Sequence, residues 1–267
     1  MLTNYHTHTT FCDGKNTPEE IVKHAIAEGF DALGFSGHGY TPFDLSCCLK
    51  DTEAYIKEIK RLKTKYKDKL QIYLGIEEDG RCPVERIRYD YIIGSMHYIK
   101  IEDKYYSLDA SKESFLKILD YFDNSPVNLA KAYYEDFLSY ISLRKPDVIG
   151  HFDIITKYDE VLGRIFLDNK EYGKIAEEYV TQALKYDLIF EVNTGAISRG
   201  YRTSCYPYIN LLEIIKNNDG KIMISTDSHK METLNTNFKE AKDMLYDIGF
   251  RHIYHLYNDE FIKEWIK

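Results

Sequence analysis

The chain has 267 residues, 44% hydrophobic and 29% charged, with a formal net charge of −8. That length and apolar content suit a sizeable folded core and exclude a disordered chain. The acidic balance argues against a surface that holds nucleic acid mainly through its phosphates, and no segment is both long and apolar enough to span a bilayer.

The first strand is expected in "NYHTHT", where alternation would turn His6 and His8 to one side. Asp13 and Gly14 follow in a loop. "TPEEIVKHAIAEG" reads as a helix with Thr17 as N-cap, Pro18 in its first turn, a buried stripe of Ile21, Val22, Ala25 and Ile26, and Gly29 as its stop. "DALGFSGH" is a buried strand ending at His38, "TEAYIKEIKRLKTKYKD" a helix with a charged outer face, and "LQIYLGIEED" a strand ending at Glu77 and Glu78. "YDYIIGSMH" is a strand ending at His97. Two helices, "SKESFLKILDYF" and "YYEDFLSYISL", precede the strand "PDVIGHFD", which ends at His151. The pattern continues with helix "KIAEEYVTQALKYD", strand "LIFEVNTG", helix "PYINLLEIIKNN" and strand "KIMISTDSH", which ends at Asp227 and His229. A helix in "FKEAKDMLYDIG", a strand in "HIYHLYN" and a terminal helix in "DEFIKEWI" complete the chain. Strand alternates with helix throughout, the pattern of a parallel sheet with crossover helices. There is no linker-like tract or repeat, so one α/β domain over residues 1–267 is expected, barrel-like rather than an open doubly wound sheet.

Of nine histidines, His6, His8, His38, His97, His151 and His229 fall at the ends of expected strands, as do Glu77 and Asp227. In parallel α/β folds those ends share one face, which carries the chemistry. His24, His252 and His255 lie elsewhere and read as structural. Histidine with carboxylate suits zinc, manganese or iron. The set exceeds the four or so ligands of one tetrahedral zinc, so two or three ions are expected, with Asp13 as a further ligand. The five cysteines are odd in number and contain no Cys-x-x-Cys pair, so reduced thiols in a cytoplasmic protein are expected. Arg199 and Arg202, just past strand "EVN", are candidates to bind an anionic substrate through the planar guanidinium fork, with Lys230 a weaker one.

These residues, in this order, resemble the polymerase-and-histidinol-phosphatase (PHP) superfamily over nearly the whole chain. The motifs stand here as "HTHTTFCDG", "FSGHG", "GIEED" with "YDYIIGSMH", "IGHFD" and "TDSH". "DYIIGSMH" and "EVNTGAISRGYR" look most like the histidinol-phosphate phosphatases. One departure is Gly37, where many relatives carry an acidic residue before the second-motif histidine.

The resemblance implies a distorted, TIM-like (β/α) barrel of seven strands with a trinuclear site. His6, His8, Glu77 and Asp227 would hold the first metal, Glu77, His97 and His151 the second, and Asp13, His38 and His229 the third. The expected reaction is hydrolysis of L-histidinol phosphate, a small phosphate monoester, by a hydroxide bridging two ions. Asp13, His38, Glu77, Asp227 and His229 would surround the chemistry, and Glu78 or Asp153 would meet the substrate amine. The alternatives are a phosphoesterase acting on nucleotides or nucleic-acid ends, an amidohydrolase-type barrel hydrolase, and a scaffold that has lost catalysis. Every ligand position of the motif set is filled, which counts against the scaffold. No membrane partner is expected.

Overall fold

The computed structural model describes residues 1–266. In chain order its strands are β1 (Thr3–Asn4), β2 (Ala32–Phe35), β3 (Gln71–Asp79), β4 (Tyr91–Ser95), β5 (Tyr98–Ile101), β6 (Lys104–Ser107), β7 (Val148–Ile149), β8 (Ile189–Asn193), β9 (Lys221–Ser225), β10 (His252–Tyr257) and β11 (Glu260–Trp265). Seven of them form one parallel sheet in the order β1-β2-β3-β4-β7-β8-β9. Its outer members meet just past their ends: Thr7 bridges Ser228, the His8 amide donates to Ser228 O at 2.8 Å, and the Ser228 amide donates to His6 O at 2.9 Å. The sheet thereby closes into a barrel and leaves little free edge.

The crossover helices are α1 (Pro18–Ala27), α2 (Thr52–Lys65), α3 (Lys112–Tyr121), α4 (Pro126–Arg144), α5 (Lys170–Leu184), the short α6 (Gly195–Ser198), α7 (Ile209–Asn217) and α8 (Phe238–Asp247). Local chemistry sets their ends. Thr17 and Glu20 form a reciprocal capping box at α1, and Asp51, Ser111, Ser125 and Asn169 cap α2, α3, α4 and α5. Among the described residues no helix is long and apolar enough to cross a membrane.

Tyr5, Ala32, Tyr73, Tyr91, Ile93, Val148, Ile189 and Met223 fill the barrel interior. The Tyr91 ring lies where a Cβ on Gly34 or Gly75 would collide with it, and its hydroxyl donates to Tyr5 O. The remaining apolar surface packs between sheet and helices.

The segment "DEFIKEWI" is a strand, not the helix its pattern suggests. Asn258 and Asp259 both take positive φ, 51° and 62°, and form the two-residue turn of an antiparallel hairpin between β10 and β11. This hairpin covers the end of the barrel where the strands begin. Its Leu256 joins the interior cluster, Tyr5 Oη donates to Leu256 O at 2.6 Å, and Asn258 meets Gln71 at the start of β3. The opposite end stays open for the polar residues. A second hairpin, β5 with β6, rises beside that opening.

Candidate metal centre

Each expected ligand emerges at the open end. His6 and His8 follow β1 with both rings fully buried, and their ring centres are 5.2 Å apart. Asp13 returns over them because the loop from Thr9 to Lys15 is tightly wound. A Cβ at Gly14 would run into the His8 backbone, and the Lys15 amide donates to His229 O at 2.8 Å. His38 follows β2, Glu77 lies in β3, His97 follows β4, His151 follows β7, and Asp227 and His229 follow β9.

Glu77 stands at the centre. Its Oε2 lies 2.8 Å from His38 Nδ1, 3.2 Å from His6 Nε2 and 3.6 Å from His8 Nε2. Its Oε1 faces the other side, 2.9 Å from His151 Nε2 and 3.2 Å from His97 Nε2, and accepts the Ser95 hydroxyl at 2.8 Å. Asp227 Oδ1 lies 2.9 Å from His8 Nε2 and 3.6 Å from His6 Nε2, and Asp13 Oδ2 lies 3.2 Å from His229 Nε2. Among the described residues, potential ligand atoms within 4.8 Å of one another fall into four overlapping groups: His8, Asp13, His38 and His229; His6, Glu77 and His151; His6, His8 and Asp227; and His38, Glu77 and His97. The expected third trio stands together with His8 added. The expected second trio meets at one oxygen of Glu77 but is divided between two of these groups.

Metal ions fit this arrangement. His6 Nε2, His8 Nε2, Asp13 Oδ1 and Glu77 Oε2 are buried without a hydrogen-bond partner. Each such atom costs about 1–3 kcal/mol if nothing meets it. His8 Nε2 and Asp227 Oδ1 are close but not aligned for a hydrogen bond, as expected of lone pairs converging on a shared point. Burial pushes the carboxyls of Glu77 and Asp227 up, but the surrounding histidines, and Arg199 for Asp227, hold both well below the usual range. Burial and the neighbouring His229 and His38 bring His8 down to about 3. Ionised carboxylates and a neutral imidazole are the forms that ligate, whereas His6, His38 and His97 are held above the usual histidine range, against the effect of burial, by Glu191 at His6 and Glu77 at the other two, and would release a proton as a cation binds.

Asp227 adopts φ 48°, a left-handed conformation that Asp tolerates better than most residues. Arg199 braces it, with Nη1 donating to Asp227 O at 2.7 Å and Nη2 donating to Oδ2 at 2.8 Å. Arg199 also lines a cavity of about 390 Å³ above the cluster, together with Asp44, Asp109, Lys157, Tyr98 and Tyr206.

Arg202 is not brought to that cavity. It is 3% exposed, lies 3.6 Å over the Tyr208 ring, and donates to Thr156 Oγ1 and Cys205 O, with Asp153 Oδ2 at 3.7 Å. Asp153 is thereby occupied in the protein interior. Glu78 is too, bound by Arg144, Tyr140 and the Val84 amide, and Lys230 is exposed outside the cavity. Position at a strand end does not reveal which way a side chain turns. At Gly37 a Cβ would sit 3.2 Å from Leu49 Cδ2 and 3.3 Å from Cys12 Sγ, so an acidic side chain has little room there. His38 instead meets Glu77.

Two carboxylates behind the ligands escaped the sequence reading. Asp79 Oδ2 accepts the His97 amide at 2.7 Å and lies 3.3 Å from His97 Nδ1, and Glu191 contacts His6. The available signal was a charged residue inside an otherwise apolar strand, "IFEVN", which needs a buried partner.

Known proteins share this arrangement of chain and fold. A family model described as the PHP domain matches residues 4–195. The "Probable histidinol-phosphatase" of Schizosaccharomyces pombe is 29% identical, with 93% of this chain and 87% of that protein covered. The histidinol-phosphatase of Lactococcus lactis is 26% identical, with 94% and 92% covered. The crystal structure of a Lactococcus lactis histidinol phosphate phosphatase, complexed with zinc, L-histidinol and phosphate, shares the fold. Its TM-score is 0.70 at 20% identity, with 97% of this chain and 98% of that one covered.

Proposed function

The chain belongs to the PHP domain family, and from that premise we propose that it is a metal-dependent phosphomonoesterase of the cytoplasm, hydrolysing L-histidinol phosphate to L-histidinol and phosphate in histidine biosynthesis. The observation that carries the reading is the convergence of eight candidate ligands around a ninth, Glu77, at the floor of one cavity. The substrate is supported by full-length relatives that bear this activity's name.

His6, His8, Asp227 and Glu77 would hold one divalent ion, Glu77 with His97 and His151 a second, and Asp13, His38 and His229 a third. Bound there, zinc, manganese or iron would polarise the phosphoryl oxygens and lower the pKa of water towards neutrality. Arg199 has two of its five N–H donors occupied by Asp227 and would turn others to a non-bridging phosphate oxygen. Because Asp227 already restrains it, the arginine loses little freedom on binding. Water adds to phosphorus as the bond to the alcohol oxygen breaks, and the proton that the water gives up balances the one that oxygen takes up. Asp44 and Asp109, rather than Glu78 and Asp153, offer carboxylates to the cavity and would meet the substrate's ammonium group.

The test is kcat/KM for L-histidinol phosphate against p-nitrophenyl phosphate, AMP and a short oligonucleotide, with protein loaded separately with zinc, manganese and iron. A large preference for histidinol phosphate that His8→Ala abolishes is the expected result. Comparable slow rates on all monoesters would reject the substrate, and inactivity of fully loaded protein would reject the reaction.

A further inference from the structure

Glu191 lies in the middle of β8, 1% exposed, and does not line the cavity. Its Oε1 is 2.5 Å from His6 Nδ1 and also accepts the Ser225 hydroxyl. Its Oε2 accepts the His151 amide at 2.7 Å and Asn193 Nδ2 at 3.0 Å. The direction of the Asn193 amide is determined, because its Oδ1 accepts the Gly195 amide at 2.8 Å. Three of the four groups around Glu191 are therefore donors irrespective of His6. A carboxylate offers about four acceptor positions, and the fourth faces the imidazole.

We propose that Glu191 is a positioning residue that selects the metal-binding nitrogen of His6: it accepts a hydrogen bond from Nδ1–H, so that a bound cation meets the lone pair of Nε2 on the side of Glu77 and Asp227. A neutral imidazole has one N–H, and the hydrogen bond made by one nitrogen decides the role of the other. His6 Nε2 lies 3.2 Å from Glu77 Oε2 and 3.6 Å from Asp227 Oδ1 and has no hydrogen-bond partner of its own. It therefore faces the place where a cation would sit. His151 provides the contrast, since its Nδ1 has no partner at all. Of these two histidines, only His6 is held from behind, so the position it shares with His8 and Asp227 is the better prepared one. The same carboxylate also holds the His151 backbone, so it links the ends of β1 and β7.

Glutamine cannot replace this group. With its carbonyl on the obligatory donors of His151 and Asn193, its NH2 faces Ser225, whose hydroxyl can turn to accept, and His6 Nδ1, which then accepts and leaves the imidazole proton on Nε2, the side meant for the metal.

This inference rests on the metal-dependent reading above, so its test reads protonation and ion count instead of turnover. Full-length protein labelled with 15N-histidine and loaded with zinc is examined by long-range 1H–15N NMR. The expected result is a His6 proton on Nδ1 and metal coordination at Nε2. Metal titration of Glu191→Gln, with its fold checked by circular dichroism, should then show one ion per chain weakened by about 10- to 100-fold and the others retained. A wild-type His6 that coordinates through Nδ1, or a folded Glu191→Gln that binds every ion as tightly as wild type, overturns the role of Glu191 and leaves the metal site standing. Wild-type protein that binds no ion overturns the metal reading itself.

Discussion

Glu77 meets four imidazole nitrogens within 3.2 Å, on two separate oxygens. Removing one oxygen's charge therefore disturbs both halves of the cluster at once. Glu77→Gln is expected to lower kcat/KM by more than about 100-fold, beyond what loss of an outer partner to a ligand costs, and to reduce bound metal measured on the same sample. The two arginines should separate cleanly. Arg199→Lys loses the planar fork that spans Asp227 and the cavity, and a charged hydrogen bond of about 1.5–3 kcal/mol corresponds to a kcat/KM loss of roughly 10- to 100-fold with the melting temperature little changed. Arg202→Met strips the partner from buried Asp153 and should cost about 3–5 kcal/mol of stability, seen in denaturant unfolding. A loss of turnover in Arg202→Met without loss of stability would contradict its placement. Sequence alone brought out this cluster because eight of its residues recur at one end of successive strands, with Asp13 in the loop after the first. It misplaced Arg202, Glu78 and Asp153 because each is one residue whose direction depends on packing partners far along the chain, Thr156 for Arg202, Arg144 and Tyr140 for Glu78, and Tyr208 for Asp153.

The elements were readable to different degrees. Helix α1 announces itself through Thr17, Pro18 and Glu20, which act within one turn. The terminal hairpin did not, because Phe261, Ile262, Trp265 and Ile266 have spacings that suit one helical face. The deciding signal is the Asn258–Asp259 pair, whose positive φ angles turn the chain back. The β5–β6 hairpin went unread for a related reason, since its strands are four residues each and pair only with each other. The terminal hairpin also carries a pH response. His255 is 5% exposed, with Thr3 Oγ1 at 2.7 Å from Nδ1 and Glu264 Oε2 at 2.8 Å from Nε2, and the Met1 amine and Lys242 nearby. Burial brings its pKa down to about 4, against the pull of Glu264. The unfolded chain therefore binds the proton first. Stability is complete above about pH 6.5 and falls as the pH drops towards 4, by up to about 1.4 kcal/mol per unit. Glu264, itself held below its usual range, acts in the same direction. His255→Gln should flatten the slope of unfolding free energy between pH 6.5 and 5 relative to wild type, and an unchanged slope would reject the assignment.

The whole barrel is tied together at its open end. The ligand set draws on the ends of β1, β2, β3, β4, β7 and β9, so ions bound there hold most of the sheet in register. A ligand that binds only the folded state at 100 times its dissociation constant adds about 2.7 kcal/mol. Chelation should accordingly lower the melting temperature, and re-addition of zinc or manganese should restore it. Insensitivity to both would mean that the cluster is not a metal centre.

The seam between Thr7 and Ser228 also orders events in time. Synthesis delivers His6 and His8 some 220 residues before Asp227 and His229, so a growing chain carries only part of its candidate ligand set until β9 has emerged. Pairings so distant in sequence form late. The two histidines after β1 must wait for the aspartate after β9, and a nascent chain has no complete cage in which to trap an ion. Acquisition of the full set of ions thereby becomes a property of the finished molecule.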